Sequence, residues 1–407
     1  MGTRLLGYIL IGIALVIIVG VLFVHSPKSQ APLIFSASQI LNATWLNYTH
    51  TYLESGTYRT LDPQRGNITT SEGESYTMLR SVWLGDKTTF DNSWTWTKNN
   101  LQHKKGDHLF SWLFGKKTNG TYGILTADGG EVSASDADTD IALALLFAYA
   151  RWQDHQYLGD ARVIMTDIWN NEVIVIQSTP YLVANNKEKT NESSVAVIDP
   201  SYISPATYRI FAQFDHSHPW LTLVDSSYTI LQQSISSRLD KNSTANIPPD
   251  WIEIDKNTGT IHATQNSTNT TNFGFDALRM PWRIALDWEW FKDPRAHQTL
   301  EKLTFLTVEW QTNKKIATTY AHDGSVLDPQ ETPAMYGGTI GYFITTNPTI
   351  AHEVYQDKLA YLYDPGKSAW KLTFSYYDDN WAWFGIALYN HLLPNLTEHL
   401  PTSSFNQ

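Results

Sequence analysis

The chain has 407 residues, of which 42% are hydrophobic and 13% aromatic, so it can bury one large core or two ordinary ones. Its formal net charge of −11 argues against a nucleic-acid partner, because nucleic-acid phosphates would be repelled. The absence of cysteine excludes disulfides, thiolate nucleophiles and cysteine-ligated metals.

The N-terminal region contains twenty consecutive uncharged, mostly apolar residues at 5–24, enough to cross a bilayer as a helix. This run is longer than the apolar region of a typical cleaved signal peptide. We therefore expect a cytoplasmic N-terminus at residues 1–4, a transmembrane signal anchor at 5–24, a tether at 25–35 and an extracytoplasmic remainder. Cleavage would instead give a secreted protein. Nine N-x-S/T sequons fit an exported surface, although chance supplies several in a chain rich in Asn and Thr.

Helical periodicity recurs after the tether, in segments separated by loops rich in Gly, Asn, Asp and Thr. The predicted helices are residues 36–53, 74–92, 94–104, 138–154, 159–175, 204–214, 219–238, 276–291, 294–312, 335–345, 349–359 and 370–393. Strands are predicted within 120–132 and 251–264, the second a hairpin with Gly259 in its turn. Helices without a compositional break indicate helical hairpins in one domain, 36–395, followed by a tail, 396–407. Such hairpins can close into a double ring around a cleft, and an open solenoid gives a similar pattern.

The first acidic stretch is SEGESYTM, residues 71–78. Glu72 lies just before a helix expected to begin near Ser75, where a capping-box acid is the simpler interpretation. Glu74 is available for the same capping role. Gly73 permits backbone conformations that leave Glu72 free to point into a cleft.

The second acidic stretch places Asp136, Asp138 and Asp140 directly before an apolar run. Helix capping by Ser135 or Asp136, together with the helix dipole, accounts for one or two of these acids but not for the third. The D-x-D-x-D spacing lacks the Gly and Glu that an EF-hand requires, so no calcium or other metal site is predicted.

The third stretch contains Asp276, Arg279 and Arg283, spaced to lie on one helical face. A surface ion pair is the simpler interpretation. The functional one is a carboxylate held ionised by a guanidinium, as a general base requires. Because helix starts at one end of a helical ring can converge, two of these acids could flank a scissile bond.

At these residues the chain resembles glycoside hydrolase family 8. The stretch SEGESYTM resembles the family's acid motif, with Glu74 in place of Gln and Thr77 in place of Gly. Residues 200–212 resemble its Pro-Ser-Tyr-Phe segment, and 276–283 its Asp-x-x-Arg base segment. The family signature is filled in register by Ala134, Ser135, Asp136, Ala137, Asp138, Ile141, Ala142, Ala144, Leu145, Leu146, Ala148 and Trp152.

The resemblance implies an (α/α)6 barrel that hydrolyses β-1,4-linked glycans with inversion at the anomeric carbon. It implies Glu72 as the proton donor, Asp276 as the base that deprotonates the attacking water, and Asp136 as the acid that holds the sugar ring. Tyr202 and Arg279 match positions that help to place the water and the base. No cofactor is implied.

The proposed roles also imply a distance between the two acids and a direction for the pKa of Glu72. An inverting pair is separated by roughly 6.5–9.5 Å to leave room for a water. The pKa of Glu72 should be raised by negative charge from Glu74 and the Asp136 cluster. Asp138 and Asp140 should cap their helix or hold neighbouring elements.

The expected partner is a polysaccharide, bound by a monomer anchored to the membrane. Cellulose or another β-glucan is the first expectation, and xylan or chitosan is the alternative within the family. A catalytically inactive, membrane-anchored glycan-binding protein is the alternative of another class, although the presence of both acids with Arg279 favours an enzyme. Candidate sugar-stacking residues are Trp83, Trp94, Trp96, Trp112, Trp381 and Trp383.

Overall fold

The computed structural model describes residues 35–265 and 268–400. The predicted membrane span at 5–24 and nearly all of the tether lie outside these residues. Within the described ranges, no helix has both the length and the apolar character needed to cross a membrane.

Helices dominate the described part of the chain. In chain order they are α1 (Ala37–Tyr52), α2 (Ser71–Leu84), α3 (Lys87–Asn100), α4 (Ser135–Trp152), α5 (His155–Glu172), α6 (Asn186–Thr190), α7 (Pro205–Phe214), α8 (Trp220–Ser236), α9 (Arg279–Phe291), α10 (Pro294–Glu301), α11 (Thr304–Asn313), α12 (Pro333–Thr346), α13 (Pro348–Val354) and α14 (Tyr376–Tyr389). A π-helical turn, Tyr355–Leu359, continues α13.

The strands are short and pair antiparallel with neighbours in the chain. They are β1 (Thr69–Thr70), β2 (Leu113–Lys116), β3 (Tyr122–Ile124), β4 (Val173–Ile176), β5 (Thr179–Leu182), β6 (Val195–Ile198), β7 (Ile252–Asp255), β8 (Ile261–His262), β9 (Thr319–Tyr320), β10 (Val326–Asp328), β11 (Tyr363–Asp364) and β12 (Ala369–Trp370). Sheets β1-β2-β3 and β6-β7-β8 have three strands each, and β4-β5, β9-β10 and β11-β12 are hairpins.

A closed inner ring of helices forms the core of the described residues. In the order α2, α4, α7, α9, α12 and α14, each helix contacts the next, and α14 contacts α2 to close the ring. An outer helix packs on each of them, in the order α3, α5, α8, α10, α13 and α1. This closure fits the predicted (α/α)6 barrel, and the open solenoid is wrong.

Glycines allow two inner helices to approach closely. A Cβ atom on Gly337 of α12 would lie 1.9 Å from the carbonyl oxygen of Trp381 in α14. Gly385 of α14 lies on the other side of the same contact, where a Cβ atom would meet the Cα atom of Gly337 at 2.5 Å. No side chain fits at either position, so backbone packs directly on backbone.

Several predicted boundaries are wrong for local reasons. The predicted helix 74–92 is interrupted at Gly85, whose left-handed backbone (φ 79°) ends α2, and Asp86 caps α3 by accepting from the N–H of Thr89. The predicted helix 294–312 is divided into α10 and α11. The helix predicted from 370 begins only at Tyr376, because residues 369–370 pair with β11.

The predicted 251–264 hairpin is confirmed by the pairing of β7 with β8. Its turn contains Gly259 with a φ of 74°. The hairpin β4-β5 was not predicted, because the apolar run of Val173–Ile176 continues the helical pattern of α5.

Candidate active site

The starts of three inner helices converge on Arg279, the first residue of α9, which is 1% exposed. Its Nη1 donates to Oε2 of Glu72 at 2.6 Å and to Oδ2 of Asp136 at 3.0 Å. Its Nη2 donates to Oδ1 of Asp276 at 2.8 Å and to Oδ2 of Asp199 at 3.1 Å. The interpretation of Asp276 and Arg279 as a surface ion pair is therefore wrong, since the guanidinium is buried among carboxylates.

The two predicted catalytic acids line one groove with a volume of about 380 Å³. Two C–N bonds of about 1.33 Å that diverge by about 120° place the guanidinium nitrogens roughly 2.3 Å apart. The 2.6 and 2.8 Å bonds from these nitrogens then limit the separation of the bonded oxygens of Glu72 and Asp276 to about 7.7 Å. Both carboxyls therefore face the same space.

Glu72 is released from a capping role because Thr70 caps α2. The hydroxyl of Thr70 accepts the N–H of Gly73 at 3.0 Å. Oε1 of Glu72 accepts from the hydroxyl of Tyr376, at the start of α14, at 3.2 Å. Burial raises the pKa of Glu72 to about 7, against the opposing charge of Arg279. A substantial fraction of this carboxyl therefore carries a proton at neutral pH.

Glu74 faces away from the groove and is fully buried. It accepts from the N–H of Thr60 at 2.7 Å, from the hydroxyl of Ser93 at 2.7 Å and from the hydroxyl of Thr97 at 3.1 Å. Burial raises its pKa to about 7. The expectation that Glu74 supplies the charge that raises the pKa of Glu72 is therefore wrong. Asp136 and Asp276 supply that charge.

Asp136 presents one bonded and one unbonded oxygen. Oδ2 accepts from Arg279, whereas the buried Oδ1 accepts no hydrogen bond from the described residues. Burial raises the pKa of this carboxyl. Because buried polar atoms are normally paired, Oδ1 is suited to accept a hydrogen bond from a ligand hydroxyl.

Asp138 and Asp140 hold neighbouring elements to α4, as one of the two expectations proposed. Oδ1 of Asp138 accepts the N–H of Phe110 at 2.9 Å. Asp140 accepts two bonds from Arg283 of α9, at 2.7 and 2.8 Å. The capping expectation is wrong, because no side chain caps the start of α4, and Ser135 donates instead to a backbone carbonyl.

Two aromatic residues complete the surroundings of the base candidate. The ring of Tyr202 lies over the guanidinium of Arg279, 5.0 Å from centroid to carbon. Nε1 of Trp251 donates to Oδ2 of Asp276 at 3.0 Å, and its ring meets Tyr202 edge-on, with centroids 5.7 Å apart. Asp276 itself lies in the turn before α9 rather than inside the helix.

The structure brings together all five predicted site residues and adds others that the sequence did not indicate. The most important additions are Asp199, Trp251 and Tyr376. A signal existed for Asp199, since an Asp followed by Pro and Ser is a typical start of a helical turn, and its side chain accepts the N–H of Ser201 at 2.7 Å. Trp251 carries no comparable signal, because its partner is set by tertiary packing alone.

The tryptophans that were candidates for sugar stacking fall into two groups. Trp83, Trp94, Trp381 and Trp383 are at most 7% exposed and belong to the core, so the expectation is wrong for them. Trp96 and Trp112 are partly exposed. The carbonyl of Trp112 accepts the N–H of Ser71, which places this tryptophan beside the start of α2.

Comparisons with known proteins identify a family and a set of relatives. The model of the glycosyl hydrolases family 8 matches residues 26–379. Endoglucanase A of Acetivibrio thermocellus is 27% identical over 345 residues, which are 83% of this chain and 67% of that protein. The chain spans between about half and two thirds of the length of the curated relatives it matches.

Solved structures show the same fold. The endo-1,4-D-glucanase from Vibrio fischeri ES114 superimposes with a TM-score of 0.70 at 24% identity, over 85% of this chain and 94% of that one. A cold-adapted family 8 xylanase in complex with substrate gives a TM-score of 0.72 at 19% identity, over 89% of this chain and 93% of that one. At these identities the likeness concerns the fold alone.

Proposed function

The chain belongs to glycosyl hydrolase family 8 and is a glycoside hydrolase, and we propose that it cleaves β-1,4-linked glycans internally, with inversion at the anomeric carbon. The observation that carries this proposal is the placement of Glu72 and Asp276 in one groove, each bonded to a different nitrogen of Arg279. The upper limit of about 7.7 Å on their separation is compatible with the spacing of inverting enzymes, roughly 6.5–9.5 Å.

In this mechanism Glu72 is the general acid. Its proton passes to the glycosidic oxygen as the bond from that oxygen to the anomeric carbon breaks. The pKa of about 7 supports the role, because an acid must hold its proton near the working pH. The cause is physical: burial disfavours the ionised carboxylate, and the charges of Asp136 and Asp276 add to this effect against the opposing charge of Arg279.

Asp276 is the general base. A water between this carboxylate and the anomeric carbon loses a proton to Asp276, and its oxygen forms the new bond on the face opposite the leaving group. Arg279 orients the base, and Tyr202 closes the site beside it. Asp136 accepts a hydroxyl of the sugar ring through Oδ1, which supports the distorted ring that the reaction requires. After each turnover Asp276 releases to solvent the proton that it took from the water, and Glu72 takes up a proton from solvent.

A β-1,4-glucan is the proposed substrate class. Curated relatives are endoglucanases, and a structural neighbour is a xylanase, which keeps xylan as the second candidate with chitosan as the third. A glycan-binding protein without catalysis is the candidate of another class. A binding function would account for the groove. It would give no reason for the carboxyls of Glu72 and Asp276, the proposed acid and base, to share Arg279.

The test is a substrate panel with product stereochemistry. The purified full chain is incubated with cellulose, mixed-linkage β-glucan, xylan and chitosan, and reducing ends and product anomers are followed by proton NMR. We expect reducing ends from β-glucan, with the α-anomer appearing first. A β-anomer appearing first would contradict inversion. Binding without reducing ends from any polymer would favour the glycan-binding protein.

We also propose that residues 5–24 anchor a monomer to the membrane with its catalytic domain on the extracytoplasmic side. The support is the length and apolar character of this run. Membrane fractionation and protease accessibility in intact cells test this topology, and chromatography in detergent tests the monomer.

A further inference from the structure

The base candidate is held by two side chains from different parts of the chain. Oδ1 of Asp276 accepts from Arg279 at 2.8 Å, and Oδ2 accepts from the indole nitrogen of Trp251 at 3.0 Å. The χ2 torsion of an aspartate, which sets the plane of its carboxylate, has a broad and roughly two-fold distribution. One donor on each oxygen removes this freedom, and each oxygen keeps a further lone pair for the attacking water.

We propose that Trp251 is a positioning residue for the general base. Its indole N–H fixes the plane of the Asp276 carboxylate, so that a lone pair points at the water. This inference rests on the proposed function. It adds a residue outside the motifs that the sequence indicated, in the segment that leads into β7.

The indole is suited to this role by its chemistry. An indole nitrogen donates and cannot accept, so it interacts favourably with an ionised carboxylate and cannot take its proton. Its ring meets Tyr202 edge-on at 5.7 Å, and Tyr202 in turn covers Arg279 at 5.0 Å. Asp276, Trp251, Tyr202 and Arg279 therefore form a closed ring of contacts around the carboxylate.

The residue before Trp251 fixes the backbone of the same turn. Oδ1 of Asp250 accepts the N–H groups of Gly274 at 3.0 Å and Ala277 at 2.8 Å, on either side of Asp276. A Cβ atom on Gly274 would lie 2.7 Å from Oδ2 of Asp250, so glycine allows this close approach. Asp250 thus holds the backbone around Asp276, and the adjacent Trp251 holds its side chain. A purely packing role for Trp251 would not require this arrangement.

The first test is Trp251→Phe, which keeps the ring against Tyr202 and removes the N–H. We expect kcat to fall roughly ten- to a hundredfold with little change in KM, because ground-state sugar contacts remain and the water is misaligned. The other charged groups that face Asp276, namely Arg279, Glu72, Asp199 and Asp250, are unchanged in this variant.

The matched control is Trp290→Phe. Trp290 lies near the far end of α9, is partly buried, and donates through Nε1 to the carbonyl of Leu393 at 2.8 Å. Its variant loses a comparable hydrogen bond away from the groove, so its kcat and KM should match those of the wild type. If Trp251→Phe shows only the small loss of melting temperature expected of this control, with kcat unchanged, Trp251 merely packs and the inference is overturned.

A second measurement does not depend on turnover. The indole proton resonance of Trp251 is assigned by its absence in Trp251→Phe and followed in the full chain in detergent. We expect it to shift in Asp276→Asn, where an amide replaces the carboxylate that accepts the indole N–H. A resonance unchanged by this substitution would overturn the inference even in an active enzyme. A wild type without hydrolytic activity but with a responsive resonance would instead overturn the proposed function alone.

Discussion

Arg279 and Glu72 are joined by a 2.6 Å hydrogen bond between Nη1 and Oε2, although they lie 207 positions apart in the chain. The same nitrogen also donates to Asp136 at 3.0 Å, so the two acids share one guanidinium nitrogen. Burial, together with the charges of Asp136 and Asp276, outweighs the attraction of Arg279, so Glu72 retains its proton more readily than an ordinary glutamate.

Replacement of this acid tests its proposed role directly. Glu72→Gln should lower kcat by about 10²- to 10⁴-fold, the range typical of a lost general acid. Glycan affinity should stay near that of the wild type, because the amide keeps the shape of the side chain. Reducing-end assays and calorimetry with cello-oligosaccharides measure the two quantities. The matched control is Glu301→Gln on α10, where the side chain is more than half exposed.

Asp276→Asn should likewise abolish hydrolysis, because an amide cannot take a proton from water. The expected loss is again about 10²- to 10⁴-fold in kcat, with the melting temperature nearly unchanged. Asp357→Asn, at an exposed position of the π-helical turn, serves as the control. Near-normal turnover of Asp276→Asn in the reducing-end assay would show that another group activates the water.

The pH dependence of activity follows from the proton on Glu72. Its pKa of about 7 lies above the ordinary value of 4.5, so the catalytically competent, protonated form is lost as the pH rises through about 7. We expect kcat/KM to fall about tenfold per pH unit on the alkaline side of this value. A profile of initial rates from pH 4 to pH 9 measures the limb. Constant activity up to pH 9 would contradict the assignment of Glu72 as the acid.

The sequence predicted the residues of the candidate site better than it predicted the residues that hold them in place. Asp136 was located because a cluster of acids directly before an apolar run predicts the start of a buried helix. The break at Gly85 was missed although Gly followed by Asp is a typical helix end and cap, because the prediction continued the helix through it to residue 92. The local pattern around Asp199 indicates only a helical turn, and Trp251 carries no local signal. Their contacts with Arg279 and Asp276 were missed because these partners are defined only once the ring closes.

Glu74 provides a test of stability that is separate from catalysis. Its folded-state pKa of about 7 exceeds the ordinary value of 4.5. A raised pKa contributes stability that is fully present below the unfolded value and is lost as the pH rises through the folded one. Gln resembles the protonated acid, and Ser93 and Thr97 can accept from its amide. Glu74→Gln should therefore unfold with a free energy higher by on the order of 3 kcal/mol at pH 8.5, and by little at pH 5.

Urea unfolding of both proteins at the two pH values measures this difference. The other buried carboxyls, such as Glu172, whose pKa burial raises to about 8, are common to both proteins and cancel in the comparison. Activity at pH 6 should be unchanged, since Glu74 faces α3 and not the groove. Equal pH dependence of the two unfolding free energies would show that Glu74 is ionised in the folded protein.

A buried ion pair joins two inner helices of the barrel. Asp140 of α4 and Arg283 of α9 are at most 5% exposed and share two hydrogen bonds. Removal of one partner leaves the other charge buried and unpaired, which typically costs about 3–5 kcal/mol. Asp140→Ala should lose this much unfolding free energy in urea. Asp225→Ala should lose less than about 1 kcal/mol, because its pair with Arg295 is solvent-exposed. Equal losses for the two variants would mean that the buried pair does not stabilise the ring, and that apolar packing alone aligns Asp136 with Arg279.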